Sequence, residues 1–399
     1  MLRLQNPIRQ YPWGSRSVLA GLQGRPVPSP APEAELWVGA HPCTPSVVES
    51  TGDALTDLIA AAPATTLSPG VAEQFGPRLP YLLKLLAVAA PLSLQVHPDA
   101  AQAAAGYAAE EAAGVPRDAP HRRYVDPYHK PELLVAVSEF RALCGFRAPA
   151  DAADAVAGLA VPALSALAAR LRAGDLAGAV RWLLTGDRSP VDVAEVVAAA
   201  AAADRPGYRV VGELATAYPE DLGVVVALLL NQVALAPGEA IFMPPGSPHV
   251  YLYGTGVEIM AASDNVLRGG FTSKYVDVPE LLRVLRYEPL RDPVRRPVPG
   301  PTAGVVSWPV PVPDLALHRV RLDAEVPTAR LPLPGPRTVL CLAGEVRVDD
   351  GAAAVTLRPG EAAFGACEPG FLAFTGAGEA YVATVSAAAA TRSLFHEMA

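Results

Sequence analysis

LAPGEAIFMPPGSPHVY (235–251) and LRPGEAAFGACEPGFLAF (357–374) share PGEA and a phenylalanine just beyond it, Phe242 in one and Phe364 in the other. Aligned without a gap, Pro237 meets Pro359 and His249 meets Phe371. A Pro-Gly-Glu turn leading into a short apolar run that ends at a Pro/Gly corner reads as the hairpin of a jelly-roll barrel. The echo predicts two barrels, of which only the first keeps an imidazole at this corner. The fold class that follows is mainly β.

The composition agrees. At 399 residues the chain exceeds one ordinary domain, and with 51% hydrophobic and 18% charged residues it has the material for a large core. Its 42 prolines, spread along the whole length, suit short strands and turns. A net charge of −8 with no block of basic residues excludes nucleic acid as the first partner to consider. Cys43, Cys144, Cys341 and Cys367 form no CxxC pair and read as buried thiols of a reducing compartment. MLRLQNPIRQYPWGS lacks the apolar centre of a signal peptide, and no run of about 18 apolar residues is long enough to cross a bilayer. The expectation is a soluble cytoplasmic protein. Without a coiled-coil seam, it is expected to be a monomer.

Working outward, residues 1–148 are short apolar runs cut by Pro and Gly, such as ELWVGAHP (35–42) and PLSLQVHP (91–98), with helices expected at 68–76 and 99–113. Residues 149–228 change character. Leu164, Leu167 and Leu171 keep a helical period, as do Leu176, Val180, Leu183 and Leu184, with Gly174 and Gly186 as stops. Ser189 and Pro190 read as the cap and first residue of another helix. This predicts an all-α inserted domain of four or five helices. Strand-like sequence returns over 229–288, with a last helix near 279–286, and 289–399 holds a Pro-rich linker (289–301) and the second barrel.

Only three of the 32 basic residues are lysine: Lys84, Lys130 and Lys274. A compact ammonium and a rigid guanidinium are not interchangeable in a tight site, so these three mark segments to inspect. In SLQVHP, Gln95 and His97 are two apart and share one face of a strand. Lys130 and Glu132 share a face in YHKPELLV, and His249 and Tyr251 do so in SPHVYLYG. Glu258, between Val257 and Ile259, is expected to point inward. Two imidazoles, a carboxylate and an amide oxygen suit Zn²⁺, and also Mn²⁺, Fe²⁺, Co²⁺ or Ni²⁺.

These segments together resemble the type I phosphomannose isomerase family of the cupin superfamily. The resemblance is carried by YPWGS (11–15), ELWVGAHP (35–42), LPYLLKLLAVAAPLSLQVHP (79–98), YVDPYHKPEL (124–133) and PPGSPHVYLYGTGVEIMAASDNVLRGGFTSKYVDV (244–278). It implies a zinc enzyme with a catalytic cupin-type barrel and a metal-free C-terminal barrel. Gln95, His97, Glu132 and His249 would hold one Zn²⁺, and Arg268 would be catalytic. One departure stands in YHKPE, where Tyr128 replaces the usual asparagine.

The implied reaction interconverts mannose 6-phosphate and fructose 6-phosphate by moving a proton between C1 and C2 through a cis-enediol. Such chemistry needs a base, a group that polarises the carbonyl, and a seat for the dianion. Glu258 is the first candidate for the base, followed by Lys130 and then a water on the metal. Lys84 and Ser93 are expected to contact the phosphate. Lys274 and Asp264 are expected to pair with each other or to orient Arg268, and Trp13 and Glu35 to line the mouth beside Tyr251. His41, His121, His129, His318 and His396 read as structural or surface residues. The rival readings are a cupin oxidoreductase and a sugar-phosphate-binding protein without turnover.

Overall fold

The computed structural model describes residues 1–185, 191–387 and 389. Among these, strands gather into one 11-stranded and one 10-stranded sheet, and their strand pairings are antiparallel. The first sheet is built around His249–Ala261, which lies between Tyr81–Val88 and Glu132–Ala136. Tyr81–Val88 is buried along its whole length, which accounts for its nearly unbroken apolar sequence. Lys84 is the one charge in that run, so its ammonium faces an interior. The second sheet is built around Arg337–Asp349 and Phe371–Thr384, and Thr328–Pro332 on its flank alternates exposed and buried residues.

The inserted helices are Pro149–Ala157, Ser165–Arg172, Leu176–Thr185, Val193–Ala203 and Arg209–Ala217, with a short turn at Gly223–Val226. Leu164, Leu167, Leu171, Leu176, Val180 and Leu183 form their shared core, with Leu184 against its edge. Gly174 ends its helix at φ 77°, where a side chain would be strained. Gly186, Ser189 and Pro190 lie outside the described residues. The helix expected to open at Pro190 begins at Val193, and its cap is Asp192, whose carboxylate accepts from Ala194 N at 2.9 Å. Two further expected helices are Pro69–Phe75, capped by Ser68, and Ala100–Ala112, closed by an Asp99/Gln102 capping box. The last helix is Val278–Val284.

The strand pairings cross the expected segment boundaries. Leu2–Gln5, expected in the first barrel, pairs with Ala362–Gly365 of the second sheet. Within the linker, Val294–Arg295 extends the first sheet and Val298–Pro299 the second. Strands of two to four residues carry too little periodicity for sequence to assign their partners. Cys144, Cys341 and Cys367 are buried as expected, but Cys43 is exposed, because it follows the turn at His41-Pro42 rather than lying on a strand.

Candidate active site

Three neighbouring strands bring the first cluster together. In the register of the sheet, His249 lies opposite Gln95, and Met260 lies opposite Glu132. The Nε2 atoms of His97 and His249 each lie 3.3 Å from a different oxygen of Glu132, and all three side chains are buried. His97 Nδ1 is 2.8 Å from the Asn265 carbonyl and His249 Nδ1 is 3.2 Å from the Ser247 carbonyl. A carbonyl only accepts, so each ring carries its proton on Nδ1 and turns the lone pair of Nε2 toward Glu132. Buried lone pairs then face carboxylate oxygens, and His97 Nε2 has no hydrogen-bond partner. A divalent cation between them resolves that conflict, so the donor set fits a metal.

The electrostatics point the same way. Burial holds the His97 imidazole neutral, its pKa lowered to about 4. Burial pushes the Glu132 carboxyl up, but the adjoining His97 and Lys130 pull it well below the usual carboxylate range. Lys130 Nζ is 3.4 Å from Glu132 Oε1. Gln95 donates through Nε2 to Ser93 Oγ at 3.2 Å, leaving its amide oxygen as a further donor of electron pairs.

A cavity of about 650 Å³ opens beside this cluster. On its floor, Lys84 Nζ lies 3.5 Å from Glu258 and 3.6 Å from Glu35, and 5.3 Å from the centre of the Trp37 ring. Burial would lower the Lys84 pKa, but Glu35 and Glu258 reverse that and raise it. Glu258 behaves in the opposite way. Burial and the charge of Glu132 outweigh Lys84 and the Tyr251 hydrogen bond, and its pKa rises to about 7. Tyr251 Oη donates to Glu258 Oε1 at 2.6 Å, and burial and that carboxylate push the phenol well up.

Arg268, opposite Gln95 in the strand register, and Lys274 also line the cavity. Burial lowers both, and the charge of Arg268 lowers Lys274 further. No carboxylate among the described residues lies within ion-pair distance of either. Their loop is held from the helical insertion: Asp221 accepts from Phe271 N at 2.6 Å and from Gly223 N at 2.8 Å. At Gly270 (φ 151°) a Cβ would stand 2.7 Å from Asp221 Oδ1, so only glycine permits this approach.

Residues 1–149 match the family described as phosphomannose isomerase type I, catalytic domain. The mannose-6-phosphate isomerase of Escherichia coli strain K12 is 38% identical over 374 residues, covering 91% of this chain and 94% of that protein. The chain belongs to the type I phosphomannose isomerase family. Arabidopsis thaliana mannose-6-phosphate isomerase 1 is 30% identical over 400 residues, covering 91% of this chain and 88% of the relative. Among solved structures, mannose 6-phosphate isomerase from Salmonella typhimurium bound to fructose 6-phosphate and zinc superposes with a TM-score of 0.87 at 34% identity, covering 97% of this chain and 99% of that one.

Within this isomerase-family fold, every site residue expected from sequence except His97 lines this cavity, and His97 is buried with Nε2 3.3 Å from Glu132. Three expectations are corrected. Asp264 does not pair with Lys274; its carboxylate lies 3.1 Å from His41 Nε2, with the backbone of Asp264 pinned by Asp126 Oδ2. Glu35 is not at the mouth but buried, held by Lys84 and by the indole N–H of Trp37. His41, read as structural, is a buried residue of the cavity wall with its ring edge-on to Trp37 at 4.8 Å. His129 is a brace, bonded to Asp314 at 3.0 Å, and His121 is exposed. Burial keeps His318 neutral, with its pKa lowered to about 4. His396 lies outside the described residues.

Asn265 was missed altogether. Fully buried, it accepts from Val125 N at 2.8 Å and donates to Asp126 O at 2.7 Å and Tyr128 O at 2.9 Å, while its own carbonyl orients His97. Asparagine at this point of SDNVLRGG was visible in sequence, but nothing local tied it to YVDPYHK. Tyr128, the departure within YHKPE, packs under the Arg78 guanidinium at 3.5 Å, so the loop is braced by stacking and by its backbone carbonyl.

Proposed function

We propose that this chain is a zinc-dependent aldose–ketose isomerase that interconverts mannose 6-phosphate and fructose 6-phosphate through a cis-enediol. The observation that carries this reading is one cavity joining three features. They are a buried His/Glu/His cluster, a carboxyl titrating near neutrality, and a basic pair without a carboxylate counter-ion. When bound, zinc supplies a Lewis acid for the sugar oxygens at C1 and C2. Gln95, His97, Glu132 and His249 are the residues proposed to hold it.

Glu258 acts as the base. Its ionised form removes the proton from C2 of the aldose or C1 of the ketose and returns it to the neighbouring carbon from the same side, as a cis-enediol requires. Tyr251 fixes one carboxylate oxygen by hydrogen bonding, and Lys84 holds the other while staying charged. Lys130 orients Glu132 and is the second candidate for proton transfer. Because Lys84 is already balanced by two carboxylates, we assign the phosphate to Arg268 and Lys274, with Ser93 lining the same cavity. Trp13 forms the rim, stacked on Tyr11 at 5.6 Å.

The four-segment organisation stays with this reading, except that Leu2–Gln5 joins the second sheet and Val294–Arg295 the first: catalytic barrel from 1–148 and 229–288, helical insertion 149–228, and linker with metal-free barrel 289–399. We read the chain as a soluble cytoplasmic monomer, and four cysteines without a disulfide support the reducing compartment in that reading. Isomerisation run in deuterated water tests the function. Deuterium entering at C2 of mannose 6-phosphate supports enediol proton transfer. Turnover with no solvent label would contradict Glu258 as an exchanging base, and no turnover would contradict the isomerase reading.

A further inference from the structure

A second group of metal-ligating side chains stands at the rim of the same cavity. One ligand atom each from His41, Cys43 and Asp264 lies within 4.8 Å of the others. We propose that these three residues form a second, thiolate-containing site for a Zn²⁺-class divalent cation, and that filling it inhibits the enzyme.

Geometry and donor chemistry carry the inference. His41 Nε2 is 3.1 Å from Asp264 Oδ1, and Cys43 Sγ is 3.9 Å from Asp264 Oδ2. Tetrahedral zinc, with bonds of about 2.0–2.3 Å, sets its ligands about 3.3–3.6 Å apart, so the His41–Asp264 edge is already close to that spacing, and the exposed Cys43 side chain, measured to the other carboxylate oxygen, closes the remaining corner by rotation. Two of the ligands are already fixed. The His41 ring is buried against Trp37, and the Asp264 backbone N–H is held by Asp126 Oδ2 at 2.8 Å. Cys43 is exposed and supplies both an entrance and an open fourth position for water. Sulfur with imidazole selects zinc or cadmium over magnesium or calcium. None of Gln95, His97, Glu132 and His249 offers sulfur, so the two sites differ in kind.

Binding is proton transfer and coordination only, with no change of oxidation state. The Cys43 thiol proton leaves to solvent. The His41 proton now facing Asp264 moves from Nε2 to Nδ1, breaking the 3.3 Å bond from Cys43 N. Arg9 and Arg117 act on Cys43, and Lys84 and Lys130 on Asp264, and these positive charges weaken cation binding. The rim site therefore fills only after the buried cluster. Because His41 and Asp264 both line the cavity, a cation tying them together closes part of its mouth.

The test starts from protein holding one zinc per chain and titrates it with Co²⁺ and with Zn²⁺. The expected result is a second equivalent of cation, with near-ultraviolet thiolate-to-cobalt absorption and one proton released per ion. In Cys43→Ser that absorption is lost and the second equivalent binds more than about tenfold more weakly, the loss that even an outer-shell partner can cause. The first zinc and basal turnover are retained, and the exposure of Cys43 makes the variant safe for folding. Absence of the absorption band in the parent protein, or its survival in Cys43→Ser, overturns the site. The inhibition rests on the isomerase reading and is tested separately. Excess Zn²⁺ should lower parent turnover about tenfold and leave Cys43→Ser unaffected, and equal sensitivity of both overturns that part alone.

Discussion

The two barrels start their hairpins on the same plan and fill them with opposite charges. Ala240–Met243 and Ala362–Gly365 occupy matching positions, as do the starts of His249–Ala261 and Phe371–Thr384. Even the turn glycines correspond: Gly238 (φ 89°) with Gly360 (φ 81°), and Gly254 (φ 125°) with Gly376 (φ 124°). Register then gives the counterpart of each site residue. Glu132 pairs with Met243, and Arg337 pairs with Gly365, so a buried guanidinium stands where the first barrel has the buried carboxylate of its His/Glu/His cluster. Gln95 opposite His249 is answered by Pro332 opposite Phe371. Glu258, opposite Leu134 and Lys84, is answered by Val382, opposite Val339 and His318.

The difference is physical. The buried Glu132 has Lys130 on one side, but the two imidazole lone pairs turned toward its oxygens call for a further cation from outside, which makes the first barrel a metal site. The second barrel supplies its own cation. Arg337 donates through its two terminal nitrogens to the carbonyls of Leu333 at 3.0 Å and Pro369 at 2.7 Å, and also to Ala366, so these are met from within, while its buried Nε has no hydrogen-bond partner. Phe374 and Val382 fill the remaining interior.

The sharpest break of this comparison is His97→Ala. Loss of the metal should cost turnover about 10³-fold or more, since several kcal/mol of Lewis-acid stabilisation are at stake at about 1.4 kcal/mol per decade. Metal analysis alongside the assay checks it, and full zinc occupancy with normal turnover would remove His97 from the site. Glu258→Gln should lower turnover about 10³-fold while zinc stays bound. The same residue sets the pH profile. Its proton must be off for catalysis, so kcat/KM should rise with pH up to a limb at about 7 or below. Below 7 applies if the bound cation pulls the carboxyl down. A profile with no acidic limb in that range would speak against Glu258.

In the second barrel, Arg337→Met should cost roughly 3 kcal/mol of stability by leaving buried carbonyls unpaired. Zinc content and turnover per folded molecule should not change; lost zinc would show that the barrels are not independent in this respect. Least severe is Lys274→Ala, expected to raise KM for the phosphorylated sugar about tenfold with kcat intact, the worth of one charge-assisted contact of about 1.4 kcal/mol. An equal rise for an unphosphorylated sugar would remove Lys274 from the phosphate seat.

How much of this was legible in sequence follows from the range of each interaction. The PGEA echo, the helical leucine period and the two-apart pairs Gln95/His97 and His249/Tyr251 are local patterns, and strand and helix geometry expresses them directly. Lys84 was marked by the rarity of lysine, yet its enclosure by Glu35 and Glu258 depends on pairing across three strands. Asn265, His41 and Asp221 act through partners 50 to 223 residues away, such as Asp221 on Phe271 and Asp264 on His41, and no spacing announces them. Arg337 was equally silent, because its meaning comes only from the register that sets it opposite Gly365, the place that Glu132 holds opposite Met243 in the first barrel.

The most direct measurement is conversion of fructose 6-phosphate to mannose 6-phosphate by the purified protein, before chelation, after it, and after metal is returned. The account predicts turnover that disappears with the chelator and returns with one Zn²⁺ per chain. Undiminished turnover in protein shown to be free of metal, or none in folded protein carrying one zinc, would contradict it.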